Sequence, residues 1–156
     1  MTVKWKLRGA FGILAVGLLF FGLLYAHAVQ AGGSFGNSSL KGTYTYTNNT
    51  DSIGSAGLIT FDGNGKVDLA IKVNVPGENG GRKTVFLSGS GNYSIDTSGA
   101  GIATIKTKGA DGKEIKLDYD FLITEAAGAL ANEVFAILQS GGVQGQLVAP
   151  TWKRRE

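Results

Sequence analysis

The stretch KVDLAIKVNV, residues 66–75, alternates apolar and polar side chains along almost its whole length. An extended chain places every second side chain on the same face, so one face carries Val67, Leu69, Ile71, Val73 and Val75. The stretch KEIKLDYDFLI, residues 113–123, repeats the pattern. Period-two patterning of this kind predicts β-strands with one buried and one solvated face.

Runs of this type, separated by clusters of Gly, Asn, Asp and Ser, predict eight strands near residues 40–48, 56–62, 66–75, 83–95, 100–107, 113–123, 131–139 and 143–149. The sequences DGNG (62–65) and DG (111–112) are typical of tight hairpin turns, which favours antiparallel pairing of successive strands. We interpret Gly89 and Gly91, within the long fourth run, as a bulge or a sharp bend.

The two halves of the chain resemble each other at an offset of about fifty residues: GTYTY (42–46) is echoed by GNYSI (91–95). Two copies are too few for a solenoid or a propeller. Two four-stranded halves that meet edge to edge make one closed sheet without exposed edges. The predicted fold class is therefore all-β, an antiparallel up-and-down eight-stranded barrel preceded by an N-terminal signal helix.

Residues 1–31 have the order of a secretory signal peptide. The basic residues Lys4, Lys6 and Arg8 precede an apolar run over residues 10–25. Small residues then offer cleavage after Ala28 or after Ala31. The prediction is an exported protein, periplasmic or extracellular, that meets a membrane only through this leader before cleavage. An uncleaved membrane anchor is the alternative, because the apolar run is only slightly shorter than the roughly 20 residues that span a bilayer.

The rest of the chain divides into a flexible linker (32–39), the barrel domain (40–149) and a basic C-terminal tail (150–156) that contains Trp152. The leader holds three of the 15 Lys and Arg residues, so the remainder carries 12, which balances the 12 Asp and Glu residues. A neutral body does not favour nucleic acid as a partner. The chain has no Cys and its only His, His27, lies in the leader, which excludes disulfides and thiol or imidazole chemistry in the barrel. We expect no cofactor.

Two groups of acidic residues have part of the pattern of a functional site, one of a calcium site and one of a glycosidase. Asp62, Asn64 and Asp68 have part of the spacing of a calcium loop, but Val67 replaces the required Gly, so a hairpin turn is the better interpretation. Asp118, Asp120, Glu125 and Glu133 would supply the carboxylate pair of a glycosidase only if buried, and alternation places Asp118 and Asp120 on the solvated face. We therefore expect no catalytic and no metal-binding residues.

Five aromatic side chains are predicted to face inward: Tyr44, Tyr46, Tyr93, Tyr119 and Phe121. An eight-stranded barrel is just wide enough to be filled by its own side chains or to hold one small ligand. These residues therefore either fill the core or form the apolar wall of a cavity in which phenol hydroxyls meet a small hydrophobic molecule.

Several segments resemble a group of secreted bacterial barrel proteins: LKGTYTY (40–46), FDGNGK (61–66), GSGNYSI (89–95) and VQGQL (143–147). Proteins of that group are similar in shape to lipocalins and to the allene oxide cyclase barrel. The resemblance implies a calycin-like barrel over nearly the whole mature chain. The shared positions are Gly and aromatic residues that build turns and bends, so the resemblance implies an architecture and no set of catalytic residues.

Three functions remain open from the sequence. The first is an exported barrel without catalysis, either a structural module or one that binds a small hydrophobic ligand. The second is an enzyme of the cyclase or isomerase kind with an apolar pocket, in which tyrosine hydroxyls steer a reactive substrate. The third is a small outer-membrane barrel, whose apolar face would point to lipid. The oligomeric state and the ligand are not determined by these patterns.

Overall fold

The computed structural model describes residues 34–50, 53–77, 80–109, 111–141 and 148–156. The predicted signal segment, residues 1–31, lies outside the described residues. The described residues belong to one compact unit. Among the described residues, no helix is long and apolar enough to cross a membrane.

Eight strands form one closed antiparallel barrel in which each strand pairs with the next and β8 pairs with β1. This confirms the predicted all-β class and the closed eight-stranded barrel. A short 3-10 turn, Asn37–Ser39, precedes the first strand. The strands are β1 (Lys41–Asn49), β2 (Gly54–Asp62), β3 (Lys66–Pro76), β4 (Arg82–Ile95), β5 (Ala100–Lys108), β6 (Glu114–Ala127), β7 (Leu130–Ser140) and β8 (Thr151–Arg154).

Alternation along the strands sorts side chains as predicted. On β3, Val67, Leu69 and Ile71 are buried while their neighbours along the strand are exposed. On β6, Leu117, Tyr119, Phe121 and Ile123 are buried. The polar residues between them point outward, and Asp120 is exposed. The apolar side chains are thus removed from water in the barrel interior, which is the main favourable contribution to folding. The charged groups stay outside and keep their hydration.

The β2–β3 hairpin confirms the predicted turn at residues 62–65. Asp62 Oδ1 accepts hydrogen bonds from the backbone N–H of Asn64 at 2.7 Å and of Lys66 at 2.9 Å. Gly63 and Gly65 have φ angles of 83° and 102°, which glycine adopts without a steric penalty. These two backbone hydrogen bonds lower the pKa of Asp62. The carboxylate is therefore engaged by its own turn, as in an Asx turn.

Gly89 and Gly91 do not form a bulge, the first of the two features that we predicted there. The ladders from β4 to β3 and to β5 run through both residues without a register shift. The glycines instead allow close approach of β5, because a Cβ atom would collide with the carbonyl oxygen of Lys106 at Gly89 and of Thr104 at Gly91. The register shifts lie between β6 and β7, beside Asp118, Ile123 and Glu125.

The eighth strand that the structure describes spans Thr151–Arg154. Most of the strand predicted at 143–149 falls on residues 142–147, which lie outside the described residues. The carbonyl oxygens of Val148 and Pro150 still accept hydrogen bonds from Leu138 and Ala136 of β7. The segment that we expected to be a basic tail thus closes the barrel, with Trp152 completely buried and the neighbouring Lys153 exposed.

The segment before β1 closes one end of the barrel, where we had expected a flexible linker over residues 32–39. Phe35, Ser39 and Leu40 are buried. Asn37 Oδ1 accepts a hydrogen bond from the backbone N–H of Ile95 at 3.0 Å. We call this the plugged end. It also carries the turns after β2, β4 and β6, and the opposite end carries the connections after β1, β3, β5 and β7.

Candidate ligand-binding cavity

The plugged half of the interior is filled by aromatic side chains. Phe61 packs edge-to-face on Tyr44 and Tyr93, with ring centroids 5.6 Å and 4.9 Å away. Trp152 lies 5.6 Å from Phe61 and 5.5 Å from Phe121. Aromatic pairs at these distances contribute packing energy beyond the area they bury. This half therefore forms the solid core of the barrel.

The hydroxyl groups of Tyr44 and Tyr93 are engaged by the backbone. Tyr44 donates to the carbonyl oxygen of Ala131 at 2.8 Å. Tyr93 Oη lies 2.8 Å from the carbonyl oxygens of both Asn37 and Leu40, so it links β4 to the segment before β1 (residues 35–40), which we call the plug. Burial raises the pKa of both hydroxyls, that of Tyr44 to about 12. Both tyrosines stay protonated and act as structural donors.

The opposite half contains a cavity of about 240 Å³. Its wall is formed by inward-facing aliphatic side chains of β3, β4, β6 and β7 and of residues next to the strands, among them Ile71, Val73, Val75, Val85, Leu87 and Ile115. The side chains of Val73, Leu87, Ile115 and Leu138 also pack against the buried core. Because β3 and β4 extend past the aromatic layer, the inward residues at the end of β3 and at the start of β4 border a space that no aromatic ring of the described residues fills. We call this space the cavity and this end of the barrel the cavity end.

Tyr46 and Tyr119 stand between the aromatic core and the cavity. They line the cavity, and Tyr119 also packs edge-to-face on Trp152 at 5.8 Å. Their hydroxyl oxygens lie 3.4 Å apart, longer than the roughly 2.7–2.8 Å of a typical O–H···O hydrogen bond. Ser55 supplies the third hydroxyl of the wall. Burial raises the pKa of both tyrosines, so this polar group of the wall is neutral.

The five aromatic residues predicted to face inward are all buried, as expected, but they do not share one site. The cavity wall that the described residues form includes Tyr46 and Tyr119. Tyr44, Tyr93 and Phe121 belong to the aromatic core instead. The aliphatic wall was not predicted, although Val73, Val75 and Val85 follow the alternation of their strands. Alternation shows which side chains face inward, but it does not show their position along the barrel axis.

The side chain of Asp118, on β6, points to the outside of the barrel and links β6 to β5 and β7. Its carboxylate accepts hydrogen bonds from Ser140 Oγ of β7 at 2.6 Å and from Thr104 Oγ1 of β5 at 2.7 Å. Lys116 Nζ lies 3.0 Å away. These donors, chiefly Ser140, lower the pKa of Asp118 to about 2. A carboxylate held ionised in this way is a structural acceptor, the opposite of a general acid with a raised pKa.

No family model matches the chain, and no curated protein and no solved structure matches it either.

Proposed function

We propose that this chain is an exported, non-catalytic β-barrel that binds a small hydrophobic ligand in the cavity. The observation that carries the proposal is the division of the interior. One half is packed solid with aromatic rings, and the other half holds about 240 Å³ behind an aliphatic wall. Protein interiors normally leave few voids larger than a water molecule. An apolar space large enough for a small organic molecule therefore supports a ligand-binding site.

The size of the cavity limits the ligand. An apolar cavity of about 150 Å³ holds benzene, which has six non-hydrogen atoms. By proportion, the 240 Å³ cavity suits a molecule of about ten non-hydrogen atoms. Removal of apolar surface from water contributes about 25 cal/mol per Å². A small apolar molecule therefore gains most of its binding free energy from the aliphatic wall.

The charged and titratable groups support binding over catalysis. The two tyrosine hydroxyls of the cavity have raised pKa values, so neither supplies a base near neutral pH. The carboxylate of Asp118 lies on the outer face of the barrel, where it accepts hydrogen bonds from Ser140 and Thr104. The enzyme alternative would have to rely on positioning by the cavity alone.

The outer surface supports a barrel in water over one in an outer membrane. A membrane barrel presents an apolar outer band and a polar interior. In this barrel the exposed positions of β3 and β6 include Asp68, Lys72, Lys116 and Asp120, while the interior positions of both strands are apolar. Export to the periplasm or the medium, and kinship with the secreted barrel proteins, remain proposals that rest on residues 1–31 and on the motifs quoted above.

Binding is tested with the chain that begins at residue 32, which keeps every residue of the buried core from Phe35 to Trp152. We expect this protein to stay in solution without detergent and to bind butylbenzene, a hydrocarbon of ten non-hydrogen atoms, in a calorimetric titration. Val85→Phe places a ring in the cavity and is expected to abolish binding. The matched control Thr84→Phe adds the same ring to the exposed face of the same strand and is expected to leave binding unchanged.

Two results would contradict the proposed function. One is a wild-type protein that binds no butylbenzene although it is folded. The other is equal loss of binding in Val85→Phe and Thr84→Phe, which would place the hydrocarbon outside the cavity.

A further inference from the structure

The hydroxyl groups of the cavity wall have more protons than their contacts with one another use. Tyr46, Tyr119 and Ser55 contribute three O–H groups. One contact joins the two phenol hydroxyls, Tyr46 with Tyr119. A hydrogen bond uses one proton, so this contact leaves one phenol proton unused. A ligand that offers an acceptor oxygen can accept a hydrogen bond from it.

The contact between the two tyrosines also leaves room for a guest. The hydroxyl oxygens are 3.4 Å apart, so their mutual hydrogen bond is long and weak. Either hydroxyl can therefore turn toward a better acceptor at little cost. In a site removed from water, a hydrogen bond to such an acceptor is stronger than the same bond made in water.

The wall disfavours a guest that carries a charge next to these hydroxyls. Apart from Tyr46, Tyr119 and Ser55, the side chains that the described residues contribute to the wall are aliphatic. A carboxylate moved into these surroundings loses its hydration, and none of the described wall residues is cationic to compensate for it. At the cavity end, Lys113 of the β5–β6 turn is exposed, and its ammonium group lies 3.4 Å from Asp111. A carboxylate would therefore keep its charge in water at the mouth of the cavity, away from the tyrosines.

We infer that the cavity selects neutral molecules of about ten non-hydrogen atoms that carry one hydrogen-bond acceptor oxygen, a ketone or an aldehyde for example, and that the acceptor end enters first and meets Tyr46 and Tyr119. The inference rests on the proposed function and adds the chemical class and the orientation of the guest.

The test compares three probes on the chain that begins at residue 32: butylbenzene, 4-phenylbutan-2-one and 3-phenylpropanoate. The double variant Tyr46→Phe/Tyr119→Phe removes both phenol hydroxyls and keeps the rings. Tyr44→Phe is the matched control, because its hydroxyl lies in the aromatic core and bonds to Ala131. Affinities are measured by calorimetry, and retained binding of butylbenzene verifies that each variant is folded with an intact cavity.

We expect the double variant to bind 4-phenylbutan-2-one about tenfold more weakly than the wild type does, the effect of one lost hydrogen bond. Its affinity for butylbenzene should not fall, and Tyr44→Phe should bind both neutral probes as the wild type does. 3-Phenylpropanoate should bind the wild type at least about tenfold more weakly than the ketone does.

Different results overturn different claims. If butylbenzene binds but the ketone affinity is unchanged by the double variant, the acceptor is not at the tyrosines and this inference is wrong, while the proposed function stands. If 3-phenylpropanoate binds as tightly as the ketone, the preference for neutral guests is wrong. If neither neutral probe binds the wild type, the proposed function fails and this inference fails with it.

Discussion

Tyr44 and Tyr119 both lie inside the barrel, but their hydroxyl groups meet different partners. Tyr44 donates to a backbone carbonyl oxygen at 2.8 Å, while Tyr119 meets another hydroxyl at 3.4 Å on the cavity wall. The first contact completes a core, because a buried polar group must be paired. The second leaves hydrogen-bonding capacity for a guest. The same residue type therefore has a structural role in one layer of the barrel and, in our proposal, a binding role in the next.

Asp118 makes folding stability depend on acid pH. Its pKa is about 2 in the folded chain and 3.8 in the reference state, so the folded state binds the proton less tightly than the unfolded state. The stabilisation is complete above pH 3.8 and is lost as the pH falls through 2. Between about pH 4 and pH 2, the free energy of unfolding should therefore fall less in Asp118→Asn than in the wild type.

Urea unfolding at a series of pH values measures this dependence. Asp120→Asn is the control, because Asp120 lies on the same strand and the same face but does not accept the hydrogen bonds from Ser140 and Thr104. The control should keep the wild-type slope against pH. If Asp118→Asn keeps that slope too, the bonds to Ser140 and Thr104 do not hold the carboxylate ionised in solution.

At the scale of elements, β8 supplies more of the core than its four residues suggest. Trp152 is completely buried and touches aromatic rings of β2 and β6, while β8 pairs with both β1 and β7. Trp152→Ala removes the largest buried side chain and leaves a cavity, so we expect a loss of about 3–5 kcal/mol of unfolding free energy.

Urea unfolding at neutral pH measures that loss. Lys153→Ala is the adjacent control. Lys153 pairs with Glu133 at 2.8 Å but is two-thirds exposed, and exposed ion pairs contribute less than about 1 kcal/mol. Equal effects of the two substitutions would mean that Trp152 is not packed in the core as described.

The contrast between β3 and β8 explains how far sequence alone reaches at this scale. β3 alternates five times, so its bounds were predicted within one residue. β8 is TWKR, with one apolar residue after a proline, and it resembles a solvated tail. Its place follows from pairing with β1 at the other end of the barrel domain as well as with β7, which four residues do not encode. The same holds for the plug, because Phe35 and Asn37 show no period-two pattern of their own.

The candidate site was predictable in composition and not in location. Alternation shows that Tyr46 and Tyr93 both face inward. It does not show that Tyr46 lies in the cavity wall while Tyr93 lies at the plug, because height along the axis depends on the register of all eight strands. The register shifts between β6 and β7 add to this, since they move one strand against the next without a glycine to mark the place.

At the scale of the whole molecule, the barrel has two different ends. The aromatic core, residues 35–40 and β8 stabilise one end, and this stability allows the described residues of the other end to border an apolar space that they do not fill. Rigid scaffolds of this kind hold a binding site at little cost in ordering when the ligand arrives. The division of the interior is therefore the feature on which the functional proposal depends.

Methyl resonances of the chain that begins at residue 32, followed by NMR during titration with 4-phenylbutan-2-one, test this division directly. The account predicts that shifts appear at Ile71, Leu87 and Ile115 around the cavity, while Ile123 and Val134 in the plugged half stay where they are. Shifts confined to the exposed Ile102 and Leu122, or no shifts at all, would contradict it.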